Sequence, residues 1–204
     1  MNDGTESKPA RVFVGLKVAA DIADQLATMA AELKETPARL VARSDIHLTL
    51  VPPWQESSTE QAVERLRDVA RLFLPLSLKF EHLGYGPHPR RPRLLWVDCA
   101  APEELAVLRN ALLLAFEQRD DRPFRPHVTL ARIRDAQPSF ARRHPIDRDL
   151  NFTQAVTTVE LFQSPPPGAT GYRVLASVEL GGAPTSAGTD GAPDLDSGQS
   201  AGPA

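Results

Sequence analysis

Apolar positions along this chain follow two periods, and each predicts a different element. Alternation with polar positions, or a short unbroken apolar run, marks a strand; recurrence every three or four residues marks a helix. Residues 11–18 (Arg-Val-Phe-Val-Gly-Leu-Lys-Val) read as a buried strand. Asp21 then opens a helix to about Lys34 on the stripe Ile22, Leu26, Met29, Ala30 and Leu33, with Pro37 at its exit. Residues 45–51 form a second strand, which Pro52 and Pro53 are expected to end. Ser57 or Ser58 caps a helix striped by Ala62, Leu66, Val69, Ala70 and Phe73. Residues 76–83 and 93–99 read as strands that can pair as a hairpin across a Gly- and Pro-rich connection. Pro102-Glu103-Glu104 starts a third helix through Leu105, Leu108, Leu112 and Ala115 toward Gln118. Residues 126–131, 155–162 and 172–180 complete the strands, the last two separated by the turn-rich Ser164-Pro165-Pro166-Pro167-Gly168. The stretch near Phe140 shows no clear period.

Two of these strands carry the same pattern, His47-Leu48-Thr49-Leu50 and His127-Val128-Thr129-Leu130. Successive strand side chains point to opposite faces, so each His shares a face with its Thr while the aliphatic residues share the other. One face packs and the other is free for chemistry. Two imidazoles and two hydroxyls are the set needed to hold a phosphate and move protons on either side of it. With 12 Thr in the chain, a given His has roughly a 6% chance of a Thr two positions on, so chance also produces such matches. The order helix, loop, His strand occurs twice, over about 21–50 and about 102–130. That order points to a duplicated lobe, and if the two lobes face each other both His-Thr pairs line the cleft between them.

Composition narrows the class without adding a site. A length of 204 residues with 42% hydrophobic and 24% charged positions fits one compact body, expected over 11–180 after a flexible stretch at 1–10. The final residues, 181–204, are mainly Gly, Pro, Ala, Ser and Asp with no aromatic or basic residue, so a disordered tail is expected. No apolar run reaches the ~18 residues of a membrane helix and no signal-peptide layout opens the chain, so a cytoplasmic protein is expected. The single Cys99 supports neither a disulfide nor a thiolate metal site and is read as strand packing. Three Asp of the tail account for the whole formal charge of −3, leaving the body neutral. Its basic residues are mostly Arg, whose planar fork suits phosphate oxygens, though codon bias explains the excess equally well.

The chain resembles the 2H phosphoesterase superfamily, and within it the RNA 2′,3′-cyclic phosphodiesterases historically called 2′-5′ RNA ligases. The resemblance rests on the opening Arg-Val-Phe-Val-Gly-Leu, on Arg39-Leu40-Val41 before Ile46-His47-Leu48-Thr49-Leu50, and on Leu94-Leu95-Trp96-Val97. It continues through the run from Arg122 to Arg132 and closes on Tyr172-Arg173-Val174-Leu175. It implies the α+β LigT-like fold, two duplicated antiparallel sheets with outer helices around a central cleft, and metal-independent hydrolysis of an RNA or nucleotide 2′,3′-cyclic phosphate to a terminal 2′-phosphate. It makes His47 the proton donor to the leaving ribose oxygen and His127 the acceptor from water, with Thr49, Thr129 and Arg132 on phosphate oxygens. No cofactor or metal is expected, and a monomer is.

After the first motif this chain departs from many relatives, with Val51-Pro52-Pro53-Trp54 where they have an aromatic and then Leu-Gly. The Trp54 ring stacks on a base if it lines the cleft and otherwise packs. The loop at 85–93, with His88, Arg90, Arg91 and Arg93, is either a phosphate contact or a solvated basic loop. His82, His88 and His144 lack the Thr partner and are read as surface or structural. Other readings stay open: a nucleotide- or RNA-binding protein without turnover, or an enzyme acting on ADP-ribose cyclic phosphate or 2′,5′-linked oligonucleotides, with reverse ligation detectable in vitro. A metal-dependent phosphatase fits less well, because no acid stands at ligand spacing beside either His.

Overall fold

The computed structural model describes residues 9–88, 91–100, 102–134 and 138–181. The expected N-terminal stretch and tail, together with Arg90, fall almost wholly outside these. Strands β1 (Ala10–Lys17), β2 (Ala38–Leu40), β3 (His47–Glu56), β4 (Leu76–Gly86), β5 (Leu94–Ala100), β6 (His127–Ile133), β7 (Arg148–Val156), β8 (Thr158–Gln163) and β9 (Arg173–Glu179) make one antiparallel sheet. Helices α1 (Ala20–Ala30), α2 (Thr59–Ala70), α3 (Glu103–Ala115) and α4 (Pro138–Arg143) complete an α+β fold.

The sheet order β7-β4-β5-β6-β3-β1-β8-β9 contains the two expected lobes as four strands on each side of a central seam between β6 and β3. The lobes join at one backbone pair, Leu48 with Val128, and both side chains are completely buried. The short β2 pairs with β6 beside the seam. Helix α1 follows β1 in the chain yet packs against β6, and α3 follows β5 yet packs against β3, so each helix covers the other lobe's central strand. The α2 start is set as expected, Ser58 Oγ accepting from Gln61 N at 3.3 Å. Inside lobe one, the buried carboxylate of Glu160 accepts from Lys17 N, Thr158 Oγ1 and Ser177 Oγ, tying β1, β8 and β9 together.

Two expectations about elements need correction, and one unassigned stretch gains an element. Pro52 and Pro53 do not end β3, which runs to Glu56; they fall between Val51 and Trp54, where the ladder to β1 skips, and β6 pairs with this strand only at Leu48. A missing N–H costs little where no partner waits for it. Residues 155–162 are not one strand: Thr157 separates β7, on β4 at one edge, from β8, on β1 in the other lobe. The stretch near Phe140 is α4, and the fully buried Phe140 ring packs edge-on to Tyr85 at 6.0 Å.

Candidate active site

Both His-Thr pairs sit where alternation places them. In β3, His47 and Thr49 are half-buried beside the fully buried Leu48 and Leu50; in β6, His127 and Thr129 stand likewise beside Val128 and Leu130. Because β3 and β6 run antiparallel through Leu48 and Val128, His47 lies across from Thr129 and Thr49 across from His127, all on one face.

The two imidazoles are held the same way. His47 Nδ1 donates to Asp45 O at 2.6 Å and His127 Nδ1 to Arg125 O at 2.8 Å, each a carbonyl two residues upstream. A carbonyl only accepts, so each Nδ1 keeps its proton and each Nε2 is left for chemistry. Each ring also rests on an aromatic from the next strand out: Phe13 of β1 lies 4.8 Å from His47, and Trp96 of β5 lies 4.5 Å from His127. The environments then diverge. His47 is enclosed further by Phe162 at 5.4 Å and by Tyr172, edge-on at 5.1 Å. Burial therefore pulls the His47 pKa below the ordinary imidazole value, and the neighbouring charges of Arg132 and His127 push the same way against the opposing pull of Asp45. Trp96 is instead overlaid by Arg125, whose Cζ is 4.9 Å from the ring, and Arg125 forks onto Asp98 at 2.9 and 3.1 Å.

Two register shifts shape the pocket. One extra residue of β6 falls between the pairs Leu95–Ala131 and Trp96–Thr129, which turns Arg132 onto the face of Thr129 although the two are three positions apart. Another, in β3, brings Gly15 of β1 opposite Thr49, where an added Cβ would lie 2.5 Å from Leu48 O. Beside the first pair opens a cleft of about 790 Å³, walled by His47, Thr49, Arg132, Arg39, Arg11 and the turn from Ser164 to Tyr172. His127 and Thr129 stand outside its walls, on the adjoining strand of the same sheet face.

A family model of the 2′-5′ RNA ligase superfamily matches residues 19–163. The chain belongs to this superfamily. The RNA 2′,3′-cyclic phosphodiesterase of Archaeoglobus fulgidus is 28% identical over 137 residues, spanning 64% of this chain and 77% of the relative. Among solved structures, E. coli LigT complexed with 3′-AMP superposes with a TM-score of 0.66 at 28% identity, over 85% of this chain and 99% of LigT. A Thermus thermophilus protein shares the fold at a TM-score of 0.70 and 24% identity, over 84% of this chain and 98% of its own.

Relative to this 2′-5′ RNA ligase superfamily frame, the structure corrects one expected site residue. Trp54 does not line the cleft: its ring packs against Phe116 at 4.8 Å and its Nε1 donates to Glu56, on the face opposite His47. Arg39, Phe13, Tyr172 and Trp96 had no assigned role, although each lay inside a stretch that carried the resemblance. His82 pairs with Asp147 at 2.6 Å and the ring of His144 packs on Phe140 at 5.0 Å, while His88 is exposed. Cys99 is a packing thiol, its pKa pushed up to about 12 by burial and by Asp98 and Glu81. Among the described residues, no group of three His, Cys, Asp or Glu is placed to hold a metal, and no helix is long and apolar enough to cross a membrane.

Proposed function

We propose that this protein hydrolyses the 2′,3′-cyclic phosphate of an RNA end or nucleotide to a 2′-phosphate, using His47 as acid and His127 as base. The observation that carries the reading is the matched pair of Nδ1-to-carbonyl bonds on adjoining strands, which frees two Nε2 atoms on one sheet face. The names of relatives such as the A. fulgidus phosphodiesterase support the same substrate class.

In this reaction water attacks phosphorus while His127 Nε2 takes its proton. The P–O3′ bond breaks, and His47 Nε2–H protonates the departing O3′, giving a 2′-phosphomonoester and a free 3′-hydroxyl. Thr49, Thr129 and Arg132 donate to the non-bridging oxygens, where charge gathers in the transition state. Burial leaves His47 mostly neutral in the free protein, so the substrate's negative charge supplies the proton affinity that loads it. The enzyme is thereby armed by its own substrate.

The test is turnover of a nucleoside 2′,3′-cyclic phosphate in the presence of chelator, with the product phosphate located by NMR. His47→Ala and His127→Ala are each expected to lower kcat by about 10²- to 10⁴-fold with the fold retained. Wild-type rates in either folded variant, or a 3′-phosphate product, overturn the assignment.

A further inference from the structure

We propose that Arg39, set beside Arg132 of the reacting site and with Arg11 nearby, forms a second anion subsite that binds a phosphate on the 5′ side of the cyclised nucleotide; this rests on the proposed cyclic phosphodiesterase reading. Three observations converge on it. First, Arg39 and Arg132 are direct cross-strand partners of β2 and β6. Residues so paired hold their β-carbons about 4.5–5.5 Å apart on one face, an arrangement that like charges disfavour unless an anion lies between them. Second, none of the three has an ion pair among the described residues, whereas Arg43, Arg109, Arg125 and Arg148 each hold a carboxylate. Third, all three are exposed and wall the cleft that holds His47 and Thr49.

The cleft has little to neutralise them. Its one acidic wall residue is Asp45, and Asp45 Oδ1 already accepts from Tyr172 N at 3.1 Å. On a body of zero net charge, three guanidiniums against one carboxylate make this cleft locally positive. The placing of Arg39 also has a dedicated support. Strand β2 is three residues long and joins the sheet through β6 alone, with Val41 N donating to Leu130 O at 2.8 Å just beyond it. One guanidinium, Arg132, is next to the reacting pair; the other fork is left to grip a further phosphate, for which Arg geometry is suited.

A cyclic phosphate at a chain end has such a neighbour, the phosphodiester on its 5′ side, and a nucleoside 5′-phosphate 2′,3′-cyclic phosphate carries the same group as a monoester. The experiment compares kcat/KM for three substrates: the nucleoside 2′,3′-cyclic phosphate, its 5′-phosphorylated form, and a dinucleotide ending in the cyclic phosphate. The wild-type protein should favour one or both phosphate-bearing forms by about 10- to 100-fold, and Arg39→Ala should collapse that ratio toward one. A preference for the dinucleotide assigns the subsite to an RNA chain; a preference for the 5′-monoester alone assigns it to a mononucleotide. A ratio near one in the wild-type protein, or one that Arg39→Ala leaves intact, overturns the proposal.

A binding measurement keeps this separate from catalysis. Calorimetry with inorganic pyrophosphate and orthophosphate should show pyrophosphate bound at least about tenfold more tightly by the wild-type protein, with the gap closed in Arg39→Ala. Equal binding of the two anions by the wild-type protein sinks the subsite even if turnover is intact. A preserved gap together with no turnover of any cyclic phosphate removes the reaction and keeps the subsite.

Discussion

His47 is the residue on which pH acts most directly. Its folded pKa lies below the unfolded value, so the unfolded chain binds more protons as pH falls below about 6.5. The contribution of this group to stability is full above that pH and lost on acidification. An anion at Nε2 reverses the shift. Addition of inorganic phosphate should raise the His47 pKa, with net proton uptake near neutrality, as followed by NMR of the imidazole Cε1–H. An unmoved titration curve would take His47 out of the anion site. At this scale the placing of the two His-Thr pairs was legible, because alternation alone puts His and Thr two apart on one face. Trp54 lies beyond the expected end of its strand, so alternation assigned it no side; only the continuation of β3 past the two prolines sets it opposite His47. Arg132 lies at the wrong parity from His127, and only the extra residue in β6 turns it inward, a shift no hydropathy pattern records.

Elements were legible where a side-chain period or a cap was strong, as at α2 with Ser58, and illegible where tertiary pairing decides. Nothing in the composition around Thr157 says that the chain leaves one sheet edge and reappears in the other lobe. The turn from Ser164 to Tyr172 read as a spacer, yet it walls the cleft and sets Tyr172 against His47. The proximity of β1 and β3 was equally hidden, and it makes Gly15 vulnerable. A methyl group there meets backbone rather than a side chain that could swing away. Gly15→Ala is expected to destabilise the protein by about 1–3 kcal/mol and to impair turnover by moving Thr49. Urea denaturation and a kinetic assay measure the two effects, and an unchanged midpoint would refute the close approach.

In the whole molecule the lobes meet through very little backbone, so their alignment depends on side chains packed beneath the seam. Leu48 is the central one. Leu48→Ala should cost about 2–5 kcal/mol, read from chemical denaturation, and lower kcat beyond what the remaining folded fraction explains. Full specific activity in the folded protein would show that the seam does not tune the site. The two-lobed plan was readable from the repeated helix, loop and His strand; the way the chain threads it was not. Strands β1 and β3 come early, whereas their lobe is completed by β8 and β9 at the far end. Phe162 and Tyr172, which close around His47, therefore come from the segment that completes the lobe rather than from the strands beside His47 in sequence. The walls of His47 thus depend on residues more than a hundred positions further along, and a chain cut before residue 158 carries both histidines while lacking the rings that enclose the first.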